Sequence, residues 1–198
     1  MRSYENELNL KYIAGVDEAG RGPVAGPVVA AAVILPVDFN DERINDSKKL
    51  TEKQRNELFN FIKEKAISVS VGVSSVNEID TINILEATKL AMIRAIDGLV
   101  VKPEHVLIDA VKLTHQIDNT SIIKGDQKSI SIAAASIIAK VTRDLMMFEY
   151  DIKYPLYSFK RHKGYLTKIH REAINTYGPC EIHRKSFAPI TSFYQTKD

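Results

Sequence analysis

Tryptophan is absent from the 198 residues, and cysteine occurs once, at Cys180. A lone cysteine excludes an internal disulfide and any cysteine-based zinc site. A chain of this length buries roughly two thirds or more of its unfolded surface, so its core needs no covalent or metal staple. Long apolar runs are also missing. The longest, residues 28–35, has eight residues, against the ~20 that a membrane-spanning helix requires. The first twelve residues (MRSYENELNLKY) contain no apolar stretch of the secretory-signal kind. The expectation is a reduced, cytoplasmic protein without membrane attachment. Three catalytic signatures are missing as well: no G-x-x-x-x-G-K-S/T phosphate loop, no G-x-S-x-G nucleophile elbow, and no H-E-x-x-H or other metal spacing among the five histidines.

A strong excess of charge of one sign is lacking overall, since 27 Lys and Arg face 25 Asp and Glu. The balance hides an asymmetry. Residues 1–110 carry 13 basic and 17 acidic side chains, whereas residues 111–198 carry 14 and 8. A basic C-terminal half on a near-neutral chain suits an anionic partner, or simply a solvated basic face. With 44% hydrophobic and 26% charged residues the composition is that of an ordinary globular protein.

Hydrophobic periodicity gives the order of elements. Residues 10–16 read as a strand that ends in Asp17 and Glu18. A Val- and Ala-rich run over 24–35 reads as a second strand, closed by Pro36. Thr51 and Gln54 form a capping box that opens a helix with Leu58, Phe61, Ile62 and Ala66 on one face. Strict alternation over 67–73 predicts a strand, and a helix is predicted from about 80 to 96, ended by Gly98. Residues 105–109 predict a short buried strand ending in Asp109, and 121–123 another. A turn at 124–126 leads into a long Ala- and Ile-rich helix over about 129–150. A last helix over 167–177 is closed by Gly178 and Pro179, and the final twenty residues read as irregular. The sum is an α/β layer architecture with a mixed sheet. The helical portion from about 155 is expected to pack against the sheet, so that residues 1–198 make one domain.

Four acids stand where chemistry is done. Asp17, Glu18 and Asp109 end strands, and Asp126 sits at a strand-to-helix turn. Clefts in open α/β sheets lie at such strand ends. Carboxylates gathered in one cleft repel one another and raise their own pKa values unless a cation joins them. Oxygen-only ligation selects hard cations, Mg²⁺ or Mn²⁺, and two such ions clamp the attacking and leaving oxygens of a phosphoryl displacement. Taken singly, each acid is as well explained as a turn or cap residue.

Residues 20–25 also fit the loose pattern G-x-G-x-x-A. A dinucleotide fingerprint must open a helix, and Pro23, Pro27 and a β-like run exclude that here. Gly20 and Gly22 around Arg21 instead suit close approach of the backbone to a ligand such as a sugar. Residues 158–165 (SFKRHKGY) place basic side chains before Tyr165, a set suited to phosphates and to stacking on a base or sugar; a basic surface loop with a packing tyrosine is the plainer alternative. Lys48, in a polar loop over 46–49, offers a further phosphate donor. His162, His170 and His183 are expected to contact phosphate or to cap structure.

The segment 13–27 (IAGVDEAGRGPVAGP) resembles the signature of the ribonuclease HII family. Further motifs follow in that family's order: 45–49 (NDSKK), 108–110 (IDA), 124–126 (KGD) running into 133–140 (AAASIIAK), 162–165 (HKGY), His170, and 177–179 (YGP). The resemblance covers about residues 11–190. It implies a ribonuclease H-like mixed β-sheet flanked by helices, with a helical C-terminal portion. It also implies metal-dependent endonucleolytic cleavage of RNA in RNA–DNA hybrids and of single ribonucleotides in duplex DNA, leaving 5′-phosphate and 3′-hydroxyl ends. By the same resemblance Asp17, Glu18, Asp109 and Asp126 are catalytic and hold two Mn²⁺ or Mg²⁺ ions. The resemblance also places Gly20, Arg21, Gly22 and Tyr165 on the substrate; Lys48 is expected to add a phosphate contact from its loop, and the protein is expected to be a monomer. Two other readings stay open on the residues: a junction-resolving or transposase-like nuclease, which the Gly-Arg-Gly segment disfavours, and a silent nucleic-acid-binding module, which should lack one of the acids.

Overall fold

The computed structural model describes residues 3–44 and 50–195. A short helix α1 (Ser3–Leu8) precedes β1 (Ile13–Ala19) and β2 (Val28–Ile34). Then come α2 (Glu52–Lys65), β3 (Ser68–Ser74), α3 (Val76–Asp97), β4 (His105–Asp109) and β5 (Asn119–Ile122). The long helix α4 (Ile130–Lys153) is followed by α5 (Phe159–His162) and α6 (Lys168–Tyr177).

The five strands form one mixed sheet in the order β3-β2-β1-β4-β5. β1 pairs antiparallel with β2 and parallel with β4, so it lies at the centre. Helices cover both faces, which is why all seven residues of β2 are buried and no polar residue interrupts it. The pleat divides its side chains: Ala30, Ala32 and Ile34 pack with Ala87, Ala91, Met92 and Ala95 of α3. Ala31 and Val33 pack with Leu58 and Ile62 of α2 and with the Ala133–Ala139 stretch of α4. The small side chains let α4 press against β1: a Cβ on Gly15 would stand 2.0 Å from the Ser131 carbonyl carbon.

The expected sheet flanked by helices is present, with shifts at the boundaries. β1 runs to Ala19, because its pairing with β2 continues through Asp17↔Ala31 and Glu18↔Ala30. The two acids therefore lie inside a paired strand and are held by its ladder. β2 begins at Val28, since residues 24–27 are drawn off toward the C-terminal portion, where Ala25 bridges His183. α3 begins at Val76 through a second capping box, Ser75 with Glu78, and kinks at Asn83, whose φ is 69°. Gly98 follows it as expected. α1 and α5 are short helices in segments that carry no helical period.

Candidate active site

Strand β1 carries Asp17 and Glu18 to the wall of a cleft of about 260 Å³. Gly20, Arg21 and Gly22 continue that wall, Asp109 enters from the end of the neighbouring strand β4, and Tyr165 stands at the rim. Ser136, Lys140 and Arg143 of α4 line the same cleft, with Arg55 from α2. A cavity of similar size lies near the other end of α4, around Glu5, Asn9 and Ser131; it gathers no comparable set of acids.

Asp17 is buried, and its Oδ1 accepts the Glu18 amide at 2.7 Å. Burial pushes its pKa well up, the charges of Glu18 and Asp109 push it further, and only the Glu18 amide and Ser136 oppose them. Glu18 approaches the Arg21 guanidinium at 3.5 Å, too long a contact to neutralise it firmly. Asp109 is oriented by the Gly125 amide, which donates to its Oδ1 at 2.7 Å. Asp126, the next residue, is buried in a 3₁₀ turn over Gly125–Gln127 and does not line the cleft. The structure thus brings Asp17, Glu18 and Asp109 together and holds Asp126 one residue behind the amide that fixes Asp109. Among the described residues no three acid, histidine or cysteine side chains are already drawn to one point as metal ligands. Lys48 lies outside the described residues.

On the opposite side, the rim residue Tyr165 is half exposed. A Cβ on Gly22 would sit 3.6 Å from its ring, so Gly22 and Tyr165 face each other across the opening. Gly164 brings Tyr165 into place: its carbonyl accepts the Val24 amide at 3.0 Å, and its φ of 84° puts an imagined Cβ 2.4 Å from the Ala25 carbonyl. That position admits glycine only.

The three C-terminal histidines are not at the surface. His162, His170 and His183 are buried beside the aromatic cluster of Tyr157 and Phe159. The expectation of phosphate contact is therefore corrected, and their role is structural. The polar line Ser136, Lys140, Arg143 escaped the sequence reading, although its spacing of four and three within the Ala- and Ile-rich part of α4 is the mark of a shared face.

Residues 14–190 match the sequence model of the family described as Ribonuclease HII. The chain belongs to the ribonuclease HII family. A ribonuclease HII from Bacillus mycoides is 58% identical over 198 residues, covering 98% of this chain and 77% of that protein. One from Bacillus anthracis is 61% identical over 193 residues, covering 96% and 75%. The crystal structure of ribonuclease H2 from Pyrococcus horikoshii superposes with a TM-score of 0.78 at 28% identity, covering 91% of this chain and 96% of that one. As a ribonuclease HII the chain is a ribonuclease H, an endonuclease that hydrolyses phosphodiester bonds. No helix among its described residues is long and apolar enough to cross a membrane.

Proposed function

We propose that this chain cuts the RNA strand of RNA–DNA hybrids, and DNA duplexes at single embedded ribonucleotides, leaving 5′-phosphate and 3′-hydroxyl ends. The observation that carries the reading is the position of the buried Asp17. It stands with Glu18 and Asp109 in a cleft whose adjoining wall is the side-chain-free edge of Gly20 and Gly22. The donor set fits a hard divalent cation, because it is all oxygen and because burial and the neighbouring charges of Glu18 and Asp109 already press against the ionised form of Asp17. Asp17, Glu18 and Asp109 would hold Mn²⁺ or Mg²⁺, with Asp126 joining from behind Gly125. Bound there, two such ions supply an activated water and stabilise the leaving 3′-oxygen.

The chain's own residues do the rest. Gly125 aims Asp109. Ser136 and the Glu18 amide favour the ionised form of Asp17 against its burial. Lys140, which also pairs with Asp144 at 2.8 Å, and Arg55 place positive charge beside a bound phosphate. Gly20 and Gly22 let the backbone reach the ribose, whose 2′-hydroxyl separates RNA from DNA. We read residues 1–198 as one catalytic domain on the support of the Ala25–His183 bridge.

The test is a matched pair of duplexes, identical except for one 2′-hydroxyl, incubated with Mn²⁺, Mg²⁺ or EDTA. Cleavage of the ribonucleotide duplex alone, only with metal, and with the stated ends supports the reading. A site built to bond a hydroxyl discriminates by about 10⁴-fold or more, so comparable cutting of the deoxy duplex would overturn it. Gly22→Val adds the complementary check. The position has space for a Cβ without backbone clash, so the protein folds while the added methyls occupy the sugar's approach, and ribonucleotide cleavage is lost.

A further inference from the structure

Two arginines, Arg143 and Arg184, are almost fully buried, at 1% and 0% exposure. Buried charge is ordinarily held by a carboxylate. Here the acids that attract them are engaged elsewhere. Asp144 pairs with Lys140, and Asp80 accepts the amides of Lys185 and Ser186. Both guanidiniums are spent on backbone carbonyls. Arg184 donates from Nη1 to Arg21 O at 2.9 Å, from Nη2 to Gly20 O at 2.5 Å, and from Nε to Gly26 O at 2.9 Å. Its guanidinium lies 5.0 Å from the centre of the Phe187 ring. Arg143 binds Pro27 O, Ala25 O and Lys163 O at 3.0–3.1 Å. The two guanidiniums thus hold five carbonyls of the 20–27 loop from beneath, those of residues 20, 21, 25, 26 and 27.

Peptide planarity gives this a consequence. In a trans peptide the C=O and the following N–H point in opposite directions. Arg184 draws the carbonyls of Gly20 and Arg21 inward, away from the cleft that these residues line. The amides of Arg21 and Gly22 must then point outward. Neither amide donates to another described residue, and both residues are exposed whereas Gly20 is buried. We propose that Arg184 is the positioning residue for ribose reading: it turns the amides of Arg21 and Gly22 into a pair of fixed donors at the cleft wall, facing a hydroxyl or phosphate oxygen of the ribonucleotide. The fork is needed as well as the charge. An ammonium has no planar set of donors to span three carbonyls of one loop. This rests on the reading of residues 20–22 as the ribose-contacting segment.

The experiment uses the full chain with Arg184→Lys, Arg184→Met and, as a separate arm, Gly22→Val. Two quantities are measured for each: kcat/KM on a duplex with one ribonucleotide, and the Ki of the all-DNA duplex as an uncleaved competitor. Circular dichroism and melting curves confirm folding. For Arg184→Lys we expect kcat/KM to fall by about 10- to 100-fold, the value of one or two misplaced hydrogen bonds, with Ki unchanged within about twofold. Amide resonances of Arg21 and Gly22 should move or broaden in Arg184→Lys while those of the β2 core stay in place. Should Arg184→Met not fold, the lysine variant carries the test alone. Wild-type kcat/KM in Arg184→Lys overturns the proposal. So does an equal loss in kcat/KM and Ki, or unmoved Arg21 and Gly22 resonances, because a merely structural arginine would behave so. If Gly22→Val cuts as fast as wild type, the ribose-contact reading itself fails. If Gly22→Val is dead while Arg184→Lys is normal, only the role of Arg184 does.

Discussion

Asp17 is a carboxylic acid held where its charged form is least welcome. Burial, then Glu18, then Asp109 raise its proton affinity, and nothing among its described partners repays that cost fully. The amide of Asn could keep the hydrogen bond from the Glu18 backbone while removing the charge. Asp17→Asn is therefore expected to lose activity by about 10²-fold or more, the scale of removing one electrostatic group from a preorganised site. It should also raise the melting temperature in EDTA. Activity near wild type, or a lower melting temperature, would remove Asp17 from the proposed ligand set. The neighbouring glycines split in the same residue-level terms. Gly20 has a φ of 101°, and a Cβ there would lie 2.1 Å from Arg143 Nε. Gly20→Ala should cost about 1–3 kcal/mol of stability in denaturant unfolding. A substitution at Gly22, where a Cβ makes only an ordinary 3.6 Å contact with the Tyr165 ring, should cost function and keep stability.

At the scale of elements, the junction of α5, α6 and the C-terminal turn is held by neutral imidazoles. His170 donates from Nδ1 to Tyr165 O at 2.9 Å, so its Nε2 is bare. His183 must then donate from Nε2 across 3.0 Å to His170, leaving its Nδ1 to accept the Cys180 amide at 2.9 Å. This tautomer set satisfies the contacts to Tyr165 O, between the rings and to the Cys180 amide, and a proton added to His170 sets donor against donor across the pair. Burial accordingly holds His170 down to about 3 and His183 down to about 4. These are bases with depressed folded-state pKa values. The unfolded chain takes up their protons below the ordinary value near 6.5, while the folded chain refuses them until about pH 4. Stability should therefore be full above about pH 7 and fall as pH drops from 6.5 to 4, by up to ~1.4 kcal/mol per pH unit for each ring. Unfolding free energies of wild type and His170→Gln between pH 7.5 and 5 read this directly. The gap between them should narrow on acidification, and a constant gap would refute the neutral relay. No sequence pattern announces this junction, because the partners are thirteen residues apart on unlike elements and meet only when Ala25 bridges His183. The strands and α2, α4 and α6 were legible because each carries its own period and cap. Asp17, Glu18 and Asp109 were legible because their strands deliver them. The inward-facing Arg184 was not, since its partners are backbone atoms, and carbonyls leave no mark in a sequence.

At the scale of the molecule, the cleft is made by two bodies of side chains. The sheet supplies the acids and the loop after β1 supplies Gly22, with α2 and α4 closing that side. The C-terminal portion, with its excess of basic residues, supplies Tyr165 on the far rim, tied back to the sheet's loop through Gly164 and Arg143. The half-exposed ring makes little of the core and stands at the rim of the cleft, where it would meet a sugar or base entering there. Stacking of that kind is worth roughly 1–3 kcal/mol per base or sugar, a factor of about 5 to 150. Binding of the duplex as a whole is spread over many phosphate contacts that need no tyrosine. Tyr165→Ala should therefore cut kcat/KM on a single-ribonucleotide duplex by about 5- to 150-fold, while its affinity for all-DNA duplex changes about twofold at most. Tyr165→Phe keeps the face and loses the hydroxyl, and so separates stacking from hydrogen bonding. If the phenylalanine variant matches wild type and the alanine variant does not, the face is what the site uses. If alanine leaves both rate and affinity unaltered, Tyr165 is no more than the packing residue of a basic loop.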